Sequence, residues 1–134
     1  MSGATDARVR LPLEPVLANL NRDPEWNLAA RFWTARIEFF VDDERCLMTV
    51  ENGRAVTFEP AASASPAPTL RIGGPAASWR ELLRPVPRPF FQDFLPASLH
   101  HGFVCAGDLE SFYAYYGAIS RILVAMRRAV ADQR

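Results

Sequence analysis

The stretch from about Leu109 to Ala131 constrains the fold more than any other part of this chain. Wound as one helix at 100° per residue, Leu109, Phe112, Tyr113, Tyr115, Tyr116, Ile119, Ile122, Leu123, Val124 and Met126 cover an arc of about 200°, whereas a helix resting on one surface needs about 100°. Such a helix is wedged into a core or a dimer interface, or it walls an apolar cavity. Gly107-Asp108 supplies the start, with the Asp108 carboxylate at the capping position. Gly117 in the helix interior costs about 1 kcal/mol relative to Ala, and marks either close approach by another backbone or a ligand, or a tolerated blemish.

What this helix packs on is read from the first half of the chain. From Trp33 the apolar period is two: Trp33, Ala35, Ile37, Phe39 and Val41 share one face, and Thr34, Arg36, Glu38 and Phe40 the other. Asp42-Asp43-Glu44 turns the chain without the ligand spacing of a calcium loop. Cys46, Met48 and Val50 then alternate with Leu47, Thr49 and Glu51. Asn52-Gly53 provides two positive-φ positions for a tight hairpin into Ala55–Glu59, where Val56 and Phe58 are expected to face inward. The result is a three-stranded antiparallel meander. Thr69–Ile72 and Gly102–Ala106 predict two further short strands.

Helices fill the rest. Leu11, Leu13, Val16, Leu17 and Leu20 have helical spacing, and Asp23-Pro24-Glu25 starts a second, brief helix. Pro60–Pro68 has no apolar period and reads as an exposed, mobile connection. Gly73-Gly74-Pro75 opens a helix carrying Trp79, Leu82 and Leu83, which stops before Pro85, Pro87 and Pro89. Another helical stretch carries Phe90, Phe91, Phe94 and Leu95. Residues 1–10 read as a flexible leader and 11–134 as a single domain.

Charge excludes several functions. Fifteen basic residues, all arginine, balance fifteen acidic ones, so no overall field attracts nucleic acid, and a stable membrane insertion is not expected. There is no signal-peptide core and no apolar run of membrane-spanning length. Cys46 and Cys105 lie in apolar alternating segments, as buried free thiols do. A cytoplasmic protein is expected, and the arginine, alanine and proline bias points to a GC-rich bacterial genome.

The order of elements and several phrases resemble the sterol carrier protein type 2 family, the SCP2-like sterol-transfer domain. The phrases are Asn21-Arg22-Asp23-Pro24-Glu25-Trp26, Glu51-Asn52-Gly53-Arg54, Pro68-Thr69-Leu70-Arg71-Ile72, and Gly102-Phe103-Val104-Cys105-Ala106-Gly107-Asp108-Leu109. The resemblance covers roughly residues 13 to 130. It implies an α+β fold, a five-stranded, mostly antiparallel sheet covered on one face by helices, with a hydrophobic tunnel that accepts sterols, fatty acyl chains or similar lipids. The chain departs from the family at Pro96–Gly102 and in ending Asp132-Gln133-Arg134 rather than in a peroxisomal Ser-Lys-Leu tail.

The expected ligand wall is Trp79, Leu83, Phe90, Phe91, Phe94, Phe103, Phe112, Tyr116 and Ile119, the alternative being a plain core; adjacent Phe90 and Phe91 on a helix cannot both point into one narrow core, so at least one lines a cavity, a partner surface or solvent. Arg80, Arg84 and Arg88 stand where they would meet a carboxylate or phosphate headgroup, or form a solvated helix face. His100-His101 is the one imidazole pair. On a strand approach, one member of the pair faces outward, and two adjacent histidines do not build tetrahedral metal coordination. The leading function is non-catalytic binding and transfer of a hydrophobic small molecule, with no cofactor and no metal. The alternatives are an isomerase, cyclase or hydrolase using His100 or His101 with Asp93 or Tyr116, and an accessory subunit docking as a homodimer or on a partner enzyme.

Overall fold

A computed structural model describes residues 9–133; most of the expected leader, residues 1–8, lies outside the described residues. Helix α1 (Leu13–Asn21) leads into α2 (Pro24–Ala29), whose Asp23 cap accepts from the Glu25 N–H at 2.9 Å. Strands β1 (Ala35–Val41), β2 (Glu44–Glu51) and β3 (Arg54–Pro60) form the meander. The tight turn has φ of 47° at Asn52 and 84° at Gly53, where the absence of a side chain lets the hairpin close against Ala30. Then come β4 (Leu70–Gly74), α3 (Ala76–Leu82), α4 (Phe94–His101), β5 (Val104–Gly107), α5 (Leu109–Ala114) and α6 (Tyr116–Asp132).

The five strands make one mixed, mostly antiparallel sheet in the order β3-β2-β1-β4-β5, with β4 parallel to β1. Reaching β4 from β3 requires a crossing over β2 and β1. Residues 61–68 make it on the outer face, above Glu38, Arg45 and Leu47, around a polar cleft of about 200 Å³. Glu38 is buried there and accepts from Arg45 at 3.2 Å and Arg71 at 2.7 Å. Two charge-assisted bonds offset the desolvation that would otherwise exclude a carboxylate. The inner face carries Ile37, Phe39, Met48, Val50, Leu70 and Ile72, all buried in one core with α1, α3 and α6.

Three sequence expectations change at this level. Val56 is exposed, while Ala55 and Phe58 are buried. A bulge opposite Thr49 and Val50 places one extra residue in β3 and shifts the face of everything before it. Phe90 and Phe91 do not start a helix. Helix α4 begins only at Phe94, capped by Asp93, and Phe90 sits in the left-handed region at φ 68°. The last helix is broken at Tyr115, with φ −113° and ψ 25°. The wide apolar arc therefore belongs to two helices of different phase: α5 buries Phe112, and α6 buries Ala118, Ile119, Ile122, Leu123, Ala125, Met126 and Ala129.

Candidate functional site

Phe39 occupies the centre of the inner face because β1 alternates without interruption. Its ring centroid lies 5.8 Å from Phe58, 6.5 Å from Trp79 and 6.0 Å from Phe94. Trp79 is oriented by its indole N–H, which donates to the Phe40 carbonyl at 2.8 Å, and its ring meets Phe103 edge-on at 5.2 Å. Phe94 and Phe103 stack at 6.0 Å. All of these separations fall in the range that aromatic pairs favour.

On the other side of Phe39 the inner face is open. Residues 9–13 pass over the ends of β1 and β2 and enclose a cavity of about 220 Å³, walled by Leu11, Leu13, Phe39, Val41, Cys46 and Pro60. Arg10, Glu44 and Arg45 are its exposed charged members. The Cys46 thiol donates to the Phe39 carbonyl at 3.5 Å, and burial, reinforced by the Glu38 charge, pushes its pKa up to about 12. A thiol held protonated is an apolar wall, not a nucleophile.

Of the expected ligand wall, Trp79, Leu83, Phe91, Phe94, Phe103, Phe112 and Ile119 are buried, Tyr116 is half-buried and Phe90 is exposed. Trp79, Phe94 and Phe103 come together around Phe39, whereas Phe112 packs with Tyr113 and Tyr116 at another contact. Sequence reasoning missed the cavity's helix side. Leu11 and Leu13 were legible as apolar, but nothing local places them over Val41 and Cys46.

The polar candidates are engaged elsewhere. The Asp93 carboxylate accepts from the Phe94 N–H at 2.8 Å and from the Ser120 hydroxyl. The Tyr116 hydroxyl accepts from the Leu95 N–H at 2.9 Å, and burial raises its pKa. His100 and His101 end helix α4 rather than a strand approach, so both are exposed. They stack on Phe90 at 3.7 Å and Phe91 at 3.9 Å. Arg84 and Arg88 both pair with Glu81, at 3.1 and 3.4 Å. Among the described residues no three His, Cys, Asp or Glu side chains gather as a metal site requires, and no helix is long and apolar enough to cross a membrane.

No protein-family model and no curated protein matches the sequence. Solved structures do. The chain is similar to the crystal structure of sterol carrier protein 2, with a TM-score of 0.69 and 14% identity over 85% of this chain and 92% of that one. The solution structure of a conserved hypothetical protein from Thermus thermophilus, described as possibly a sterol carrier protein, gives 0.63 and 14% over 86% and 83%. The ubiquinone synthesis protein UbiJ-SCP2 gives 0.52 and 13% over 81% and 88%. At such identities the likeness is one of architecture: this chain has the SCP2-like fold, a five-stranded mixed sheet with its helices packed on the inner face.

Proposed function

We propose that this protein binds and transfers a hydrophobic small molecule, a sterol, fatty acyl chain or similar lipid, without chemical conversion. The observation that carries the reading is the apolar cavity of about 220 Å³ between residues 9–13 and the sheet. Phe39 is both its floor and the edge of the ring cluster formed with Trp79, Phe94 and Phe103. The cavity is the entrance, and the continuation of a lipid tail runs among these rings. Its volume is below the roughly 300–1,000 Å³ of drug-sized pockets, so a longer guest enters by re-packing rings or by displacing segment 9–13. Burial supplies the affinity, at about 0.8 kcal/mol per methylene. Arg10 at the edge meets a carboxylate or hydroxyl head.

The SCP2-fold neighbours support this reading in general terms. Two free cysteines fit a reducing, cytoplasmic setting. The enzymatic alternative has no comparable observation: Asp93 serves as a helix cap, and the two histidines stack outside the core.

Delipidated protein titrated with a fluorescent fatty acid is expected to bind it saturably. Leu13→Trp, which adds an indole at a half-buried position on the cavity's helix side, is expected to weaken binding at least about tenfold while circular dichroism stays native. Undiminished binding in that variant would remove the cavity from the account.

A further inference from the structure

The cavity's walls are not equally fixed. On the ring side, Phe39, Trp79 and Phe94 are fully buried and in mutual contact, and the indole of Trp79 is tied to the Phe40 carbonyl. Moving one of them disturbs the others. On the opposite side the wall is residues 9–11, which belong to no helix or strand. Val9 and Leu11 are half-buried against the core, and Arg10 between them is exposed. Among the described residues, the backbone of Val9, Arg10 and Leu11 makes no hydrogen bond, so apolar contact of two aliphatic side chains is what holds the segment down. Fixed structure begins at Pro12, which is buried and whose carbonyl accepts from the Val16 N–H at 3.1 Å. Helix α1 has no side-chain cap that movement of the preceding residues would break.

We propose that residues 9–11 are a lid pivoting on Pro12, closed over a short guest and lifted by one longer than the cavity of about 220 Å³. The proposal rests on the cavity reading and adds its regulation: in the free protein Val9 and Leu11 cover apolar surface that the guest's own carbons would otherwise cover. A long hydrocarbon chain loses more surface to the protein than two half-buried side chains do, so it wins that competition, whereas a short chain keeps the lid as its roof. Whatever part of a tail passes among the rings, its remainder leaves by this side.

Arg10 makes the movement measurable. Trypsin cleaves after arginine only where the chain on both sides is free to enter its cleft, and closure holds Val9 and Leu11 against the core. Full-length protein is delipidated, saturated with octanoate or hexadecanoate and digested briefly, the fragment beginning at Leu11 being followed by mass spectrometry. Cleavage after Arg54, at the far end of β3 from the cavity, is the internal control. Hexadecanoate should speed cleavage after Arg10 about fivefold relative to that control, and octanoate should slow it. Without ligand, Val9→Ser combined with Leu11→Ser should speed it to a similar degree, and this variant should bind hexadecanoate more tightly and octanoate more weakly than the parent. If hexadecanoate slows the cleavage or leaves it unchanged, or if the serine variant loses affinity for both acids, the lid is overturned and the cavity stays. If neither acid binds, or if Leu13→Trp binds hexadecanoate as well as the parent does, the cavity is overturned and the lid with it.

Discussion

Trp26 and Trp79 are both fully buried, yet their indole N–H groups have opposite fates. That of Trp79 donates to the Phe40 carbonyl at 2.8 Å, whereas that of Trp26 has no hydrogen-bond partner among the described residues. Replacing Trp79 with Phe loses ring area and also the bond to the Phe40 carbonyl, together about 2–3 kcal/mol. Replacing Trp26 with Phe loses similar area but removes an unsatisfied donor, a relief of about 1–3 kcal/mol that offsets much of the loss. Urea midpoints at constant slope should therefore place Trp79→Phe below Trp26→Phe by at least about 1 kcal/mol. Equal destabilisation would mean that the Trp79 bond contributes nothing. The sequence places both indoles on apolar faces; only the fold decides which one finds an acceptor. His100, His101 and Asp93 teach the same lesson, since their chemistry was visible in the sequence and their occupation by Phe90, Phe91 and Ser120 was not.

At the scale of elements, the glycines show where sequence reasoning succeeds and where it stops. Gly117 reads as either a site of close approach or a tolerated blemish, and the second fits, since an added Cβ would meet Ala29 Cβ at 3.8 Å, an ordinary contact. Gly117→Ala is therefore expected to stabilise by about 0.4–1 kcal/mol, mostly by restricting the unfolded chain. Gly107 closes β5 at φ 111°, and a Cβ there would lie 2.3 Å from the Thr69 carbonyl oxygen. Gly107→Ala should cost about 1–3 kcal/mol. Thermal unfolding of the two variants should move in opposite directions, and a loss of stability in Gly117→Ala would contradict the open environment. Start signals were legible because they are local: Asp23, Asn52-Gly53 and Asp108 each act within three residues. The β3 bulge and the break at Tyr115 were not legible. Each is a phase change imposed by a neighbour, by β2 in one case and by the packing of Tyr115 on Trp33 at 5.0 Å in the other.

For the molecule as a whole, alternation and helix count gave the layers, but the parallel pairing of β1 with β4 has no local signal. That pairing sends residues 61–68 across the outer face and reserves the inner face for helices. The consequence is an asymmetric molecule: Glu38 and its arginines hold the outer side, while the inner side gathers the rings and opens at residues 9–13. A guest in that opening touches α1, β1 and β2 together, and the unfolded chain offers it no such site. Binding must then raise the stability of the entire domain by RT ln(1 + [L]/Kd), about 2.7 kcal/mol at a hundredfold excess over Kd. For a chain of 134 residues that gain corresponds to a rise in Tm on the order of 5–10 °C. Delipidated protein heated with and without saturating fatty acid should show this rise in a single transition, and Leu13→Trp should not. A rise retained in full by Leu13→Trp would place the guest elsewhere on the molecule, while a partial early transition would mean that the opening is a local element and not an integral part of the core.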